Sequence, residues 1–172
     1  GPNDHKLLMN LCKGGTEESK WRRMVHVQMD VTAPLYWWKE FDTYKVGTVA
    51  NSTSTMHKIH SKPFALEDFS HDHLVPAAED ALNAMIAALE ALRLEYMQGR
   101  DKALWYSIIQ LLPSSYNQKR TVTLNYENAF AMYNARHNHK LQEWHTFCDW
   151  VLRLPYFTDM FPQLLQGGEK LA

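Results

Sequence analysis

The amino-acid sequence predicts an α+β fold that is mainly helical, and three observations carry that prediction. From Pro76 to Gly99, Ala78, Leu82, Met85, Ile86, Leu89, Leu92 and Tyr96 fall at helical spacing, the pattern of a long helix with one buried side. From Arg23 to Val31 the pattern is strict alternation. Val25, Val27, Met29 and Val31 share one face and Met24, His26, Gln28 and Asp30 the other, which reads as a strand with one buried face. Finally, 172 residues with six Trp, eight Tyr and seven Phe carry enough apolar surface for one compact domain over residues 1–172, and exclude a disordered chain.

The remaining elements follow in chain order. Gly1-Pro2 is set aside as a processing scar or the first ordered pair. A helix capped by Asn3 or Asp4 runs to about Lys13 and ends at Gly14-Gly15. After the strand, Thr32 is expected to cap a second helix from Pro34 to about Tyr44, with Leu35, Trp38 and Phe41 on its apolar side. From Val46 to Lys62 apolar periodicity is lost, so a loop or irregular stretch is expected, and a loop of that length is often functional. Beyond the long helix, a further one runs from about Asp101 to Leu111 and stops before Pro113. Ser114 to Thr121 is polar and extended or looped. Helices follow from about Asn125 to Arg136 and about Lys140 to Leu152, with a last helical turn after Pro155. The tail 166–172, with Gly167-Gly168, is expected to fray.

Composition narrows the functional classes. Lys and Arg total 18 against 19 Asp and Glu, a net charge of −1, so no large basic field exists to grip nucleic acid. No apolar run approaches the roughly 20 residues of a membrane span. No signal peptide is read, and the expected location is cytoplasmic. Cys12 and Cys148 are far apart and read as reduced thiols, Cys148 packed in a core with Phe147, Trp150 and Val151. The nine histidines, including the pairs His57/His60, His71/His73 and His137/His139, match no metal signature, and no metal is expected. The glycine-rich dinucleotide and phosphate-loop strings and the serine-hydrolase elbow are absent. Two features stand out. Lys119-Arg120, beside Tyr116, Asn117 and Gln118, could grip a phosphate or form a solvated turn. Arg136, after Met132 and Tyr133, either complements a helix C-terminus or points into a pocket, and the spacing leaves both open.

The order of motifs is more specific. The turn GGTEESKW leads into the strand MVHVQMDV and the helix PLYWWKEFDTY, and the loop NSTSTMH follows with Asn51 and Ser54. EYMQG precedes LLP; Leu112-Pro113 leads to TLN at 123–125; Arg136 lies eleven residues after Asn125, and Gln142 follows. From about Gly14 to Val151 this order resembles the flavin-dependent thymidylate synthase family, the thymidylate-synthase-complementing proteins, in diverged form. The resemblance implies that family's fold, with a small antiparallel sheet. Members carry more chain ahead of the point where this sequence starts, and are homotetramers with active sites shared between subunits.

What the resemblance implies for chemistry is transfer of a methyl or hydroxymethyl group to a pyrimidine nucleotide such as dUMP, with FAD and a folate carbon donor. Residue by residue, it implies that Arg136 polarises the uracil ring and that Ser54 lies near the nucleotide phosphate. Lys58, Lys119 or Arg120 could take the place of a lost phosphate ligand, and Gln142 is implied to line the pocket. Asn51 and Asn125 fall at cofactor-binding positions. The departures are specific. The family's flavin-binding Arg-His-Arg falls at Asp42-Thr43-Tyr44; its loop Glu, Arg and Tyr become Ser52, Met56 and His57; and an Arg two residues past the cofactor Asn becomes Glu127. Three function classes therefore stand side by side: a flavin-dependent enzyme, a non-catalytic nucleotide-binding protein, and an assembly protein that keeps only the fold.

Overall fold

The computed structural model describes residues 1–15, 17–161 and 164; the tail expected to fray, 166–172, lies outside them. Eleven helices and strands are built in the order α1 (Pro2–Cys12), β1 (His26–Pro34), α2 (Leu35–Phe41), β2 (Val49–Ser52), α3 (Thr55–Lys58), α4 (Pro76–Gly99), α5 (Lys102–Leu111), β3 (Asn117–Asn125), α6 (Tyr126–Arg136), α7 (Gln142–Leu152) and α8 (Phe157–Met160), with 3-10 helices at Glu18–Met24 and Leu66–Asp68. The expected α+β class holds: the chain is mainly helical with a small antiparallel sheet, ordered β1–β3–β2. β1 and β3 are antiparallel, as shown by the Tyr126 N–H donating to the Val25 carbonyl (3.0 Å) and the Leu35 N–H to the Tyr116 carbonyl (3.0 Å). The chain divides into two compact units, one of Gly1–Met29, Tyr44–Val49 and Thr123–Ala172, the other of Asp30–Thr43 and Ala50–Val122.

Several expectations are corrected. The first helix starts at Pro2 with Gly1 at its cap, so Asn3 and Asp4 lie inside it. The strand runs from His26 to Pro34, because the chain up to Met24 is wound into a 3-10 helix. The helix expected to reach Tyr44 ends at Phe41. The stretch 46–62 is not irregular throughout, because it holds β2 and α3. All four residues of β2 are exposed and α3 buries none, so neither leaves an apolar period to read. Thr32 caps no helix. The strand's alternation continues through it to buried Ala33 and Pro34, and Pro34 is the residue from which α2 starts.

The unit of residues 30–43 and 50–122 is organised on the long helix. Pro76 opens α4 without a backbone N–H to lose, and Arg100 closes it in the left-handed conformation. Leu82 and Leu89 of α4 and Ile108 of α5 bury with Ile59, Phe64 and Phe69. Arg93 sits on the same buried face, which periodicity does not foresee. Its Nε and Nη2 donate to both oxygens of Glu90 (2.8 and 2.7 Å), and Glu90 also accepts from the Phe64 N–H (3.0 Å), tying the 60–64 segment to α4. The Arg93 guanidinium beside it is the main reason the Glu90 carboxyl is held below its usual range. Trp37, Trp38 and Phe41 of α2 are also buried in this unit.

The other unit is organised on α6 and α7. β3 runs directly into α6, and Asn125 at the junction is its cap. The Asn125 Oδ1 accepts the Asn128 N–H (2.9 Å) and the Asn128 Oδ1 accepts the Asn125 N–H (3.3 Å). α6 buries Tyr126, Ala129 and Met132, and α7 buries Trp144, Phe147, Cys148 and Val151. The Tyr126 hydroxyl donates to the Pro155 carbonyl (2.7 Å), and its ring packs edge-on to Phe157. The segment 44–47 is strapped to α6: the Asn128 Nδ2 donates to the Val46 carbonyl (2.8 Å), and Gly47 (φ 75°) lies so close that a Cβ there would meet the Asn128 Oδ1 at 2.7 Å. Burial, with Asp149 nearby, pushes the Cys148 thiol up to about 12.

Three outcomes are expected. Gly47→Ala combines a disfavoured φ with a clash against a capping side chain and should cost about 1–3 kcal/mol in urea unfolding. Glu90 has a folded pKa below its unfolded value, so the stability it contributes is present above the unfolded pKa and is lost as pH falls through the folded one. Glu90→Gln should therefore lower the Tm at neutral pH and flatten its decline below about pH 5. In a thiol titration of the native protein at mild alkaline pH, half-buried Cys12 should react first, and buried Cys148 only on unfolding.

Candidate functional site

In the unit of residues 30–43 and 50–122, a cavity of about 290 Å³ opens between α3 and the start of β3. The Thr53 N–H and hydroxyl both bond the Lys119 carbonyl (3.1 and 2.9 Å), so pairing to β3 sets the height of the loop that follows. Ser54 then caps α3, its Oγ accepting the His57 N–H at 3.4 Å. Ser54 and Lys58, expected at a phosphate site, both line this cavity. With them stand Lys62 and Lys119, the carboxylates of Glu67 and Asp68, and the polar groups of Gln118 and Tyr116. Lys62 pairs with Asp68, which raises its pKa, and Lys119 pairs with Asp30 at 2.7 Å. That bond from Lys119, with one from Thr121, holds the Asp30 carboxyl low. Lys58 forms no ion pair among the described residues. It is the cation with the least internal competition for an incoming anion. Lys62 was not foreseen as a site residue; a lone lysine before a proline carries no signal until the fold brings it across from α3.

Arg120 takes a different position. Its Nη1 bonds Asp42 (2.8 Å), its Nε donates to the Gln118 Oε1 (2.8 Å), and its guanidinium lies 4.3 Å above the Trp38 ring. Gln118 in turn donates through Nε2 to the Thr55 hydroxyl (2.9 Å). Arg120 is thus not among the cavity's lining residues but is linked to it through Gln118. Asp42, where the family resemblance calls for a cation, is the partner of that arginine. Asn51, in β2, is exposed and lies outside the cavity lining.

The other three expected residues belong to the second unit. Asn125 has its Oδ1 committed to the α6 cap, so its first role is structural. Gln142 is exposed at the first turn of α7. Arg136 closes α6, and its guanidinium lies against aromatic rings, with Cζ 4.8 Å from the Trp144 centroid and 5.5 Å from that of Tyr44. Its Nε donates to the Tyr44 hydroxyl at 2.8 Å. Of the two readings left open by spacing, the first is seen, a cation in the last helical turn, and the guanidinium is also held in a defined aromatic setting. Tyr44 was read as a helix residue; the partnership shows only once α2 is seen to end at Phe41.

This unit has a cavity of its own, about 280 Å³, lined by Cys12, Gly14, Gly15, Ser19, Lys20, Arg22, Arg23 and Glu127. Arg22 lies over the Phe161 ring (4.5 Å) and 4.0 Å from a Glu127 oxygen. Its Nε is buried with no hydrogen-bond partner among the described residues. A donor left in that state fits an acceptor that the protein itself does not supply. No cluster of three or more His, Cys, Asp or Glu suited to a metal ion occurs among the described residues, and no helix among them is long and apolar enough to cross a membrane.

The sequence matches no protein-family model and no curated protein significantly. Comparison of structures is informative. Thymidylate Synthase X from Helicobacter pylori with FAD and dUMP matches with a TM-score of 0.72 at 15% identity, over 97% of this chain and 85% of that one. A second Helicobacter pylori structure, of flavin dependent thymidylate synthase complexed with FAD and dUMP, matches with a TM-score of 0.69 at 15% identity, over 92% and 81%. The UMP/dUMP methylase PolB from Streptomyces cacaoi, bound with 5-Br UMP, matches with a TM-score of 0.58 at 12% identity, over 95% and 83%. At these identities the likeness speaks for the fold, and it agrees with the motif order read from the sequence: this chain has the fold of the flavin-dependent thymidylate synthases.

Proposed function

We propose that the protein is a diverged flavin-dependent thymidylate synthase-like protein that binds a pyrimidine nucleotide such as dUMP, anchoring it by its phosphate. The observation that carries this reading is the cavity where Ser54, Lys58 and Lys119 gather, in a fold whose solved examples include proteins complexed with dUMP or 5-Br UMP. The resemblance calls for an arginine in the Ser54 loop, where Met56 stands, and Lys58, Lys62 and Lys119 supply cations in its stead. In this reading Ser54 and Lys58 hold the phosphate, and Arg120 acts on it only through Gln118. The resemblance assigns contact with a pyrimidine base to Arg136, with Gln142 nearby in sequence. A guanidinium beside a pyrimidine carbonyl stabilises the negative charge that grows when the ring is attacked.

FAD belongs to the proposal at the Gly14–Arg23 cavity. Lys20, Arg22 and Arg23 offer the cations a dinucleotide needs, and the unpartnered Arg22 Nε fits a phosphate or carbonyl acceptor. Asn51 and Asn125 are retained as flavin contacts on the strength of the resemblance alone. Bound FAD would supply the redox equivalents for methyl transfer from a folate donor. The proposal takes residues 1–172 as a single domain of a cytoplasmic homotetramer with subunit-shared sites. The apolar residues left exposed on α4, Leu94 and Met97 with Ala77, Ala81, Ala84, Ala88 and Ala91, support the assembly. A second reading, a nucleotide-binding protein without flavin chemistry, is favoured by the Asp42–Arg120 pair standing where the resemblance places flavin-binding cations.

The test is a visible-absorption titration with FAD, then dUMP, followed by tritium release from 5-³H-dUMP. A flavin band perturbed by both ligands, with turnover, supports the enzyme. Binding of dUMP with no flavin perturbation supports the second reading, and no dUMP binding overturns both. Lys58→Ala should weaken dUMP about tenfold through the loss of one charge-assisted contact.

A further inference from the structure

We infer that Tyr44 is a positioning residue for Arg136: its hydroxyl fixes the plane of the guanidinium and so decides how a ring carbonyl can be met. The inference rests on the proposed reading that Arg136 meets the base of a nucleotide.

A side chain on a helix leans back toward the helix N-terminus, so Arg136, at the end of α6, lies over the preceding turn. There its guanidinium rests on Trp144, a ring with no solvent exposure and therefore a fixed platform. Stacking alone fixes a height, because a flat cation on a flat ring still turns about the ring normal. The bond from Nε to the Tyr44 oxygen, at 2.8 Å, restrains that rotation. Tyr44 is itself held from two sides. Its ring packs at 67° against Trp144, with centroids 6.0 Å apart, and the chain just beyond is strapped to α6 through the Val46 carbonyl and the Asn128 side chain. Arginine recognises its acceptors through a rigid planar fork, so the angle of that plane is a binding parameter and not a detail. In Tyr44→Phe the ring and its packing remain and the acceptor is lost.

The experiment compares wild type, Tyr44→Phe, Arg136→Ala and the double variant by calorimetric titration with dUMP and with inorganic phosphate. Tyr44→Phe should weaken dUMP about tenfold and leave inorganic phosphate unchanged, and it should have no added effect in the Arg136→Ala background. Unchanged dUMP affinity in Tyr44→Phe, or an equal loss in both backgrounds, overturns the inference. Nitrogen-15 NMR of the ligand-free protein separates this from the functional reading. The Arg136 Nε–H should be protected from solvent exchange in wild type and lose that protection in Tyr44→Phe. Protection that survives Tyr44→Phe overturns the positioning role whatever the ligand. Wild-type protein that binds no dUMP, with protection lost in Tyr44→Phe, overturns the nucleotide reading and supports the positioning role. A purely structural tyrosine would lower the Tm without moving either readout selectively.

Discussion

The antiparallel pairing of β1 with β3 is the constraint on which the other placements depend. It joins residues about ninety positions apart, for instance Asp30 to Thr121, whose side chains bond at 2.7 Å. Such contacts form only after a long loop has closed, whereas the α4–α5 pair between the strands is local and needs no partner to start. What the strands deliver is position at their ends. β3 finishes at Asn125, whose side chain starts α6; β1 finishes at Pro34, from which α2 begins; and the Lys119 carbonyl, near the start of β3, receives Thr53 and so sets where Ser54 begins α3. A shift of one residue in register would exchange the two faces of each strand and move every one of these starting points.

Electrostatics in the candidate site is a matter of which cations are already answered. Arg120 is held by Asp42, Lys62 by Asp68 and Lys119 by Asp30, so three of the basic groups in and beside the cavity are already neutralised. An anion entering the cavity would have to compete with those carboxylates, and least so at Lys58, which forms no ion pair among the described residues. The other unit shows the converse arrangement. Arg22 has a carboxylate oxygen at 4.0 Å and, among the described residues, no acceptor for its buried Nε, the setting in which a donor is most costly to leave unanswered.

Legibility followed the strength of the local pattern. α4 was readable to the residue at both ends because twenty-four residues of helical period are bounded by a proline and a glycine. α5 and α6 are readable to within a residue at their starts, where Asp101 and Asn125, expected as first helical residues, stand as the caps. β2 was not, since an edge strand with no buried face has no alternation to display. The same logic separates the site residues. Ser54 follows from motif order and Lys58 from the need for a nearby cation, and both line one cavity; Arg120 stands out by its charge, but its partner lies seventy-eight positions away and no local pattern announces it. Nothing in the sequence singles out Arg22, whose setting comes from an aromatic ring, Phe161, far along the chain. Tertiary pairing, rather than propensity, decided each of these.

The strap from Tyr44 to Gly47 works as a ruler. Two points on it are tied to two points on α6, the hydroxyl of residue 44 to Arg136 and the carbonyl of residue 46 to Asn128, while the left-handed turn at Gly47 presses on the same asparagine. Distance along a short segment is thereby matched to distance along a helix, which rises about 1.5 Å per residue. Substitutions within the strap alter one anchor at a time. Adding or removing a single residue between 44 and 47 changes the match itself and brings the aromatic ring to a different turn. Among chains built on this plan, the length of this segment should therefore be held more tightly than its composition, with glycine at its far end as the one point where both are held.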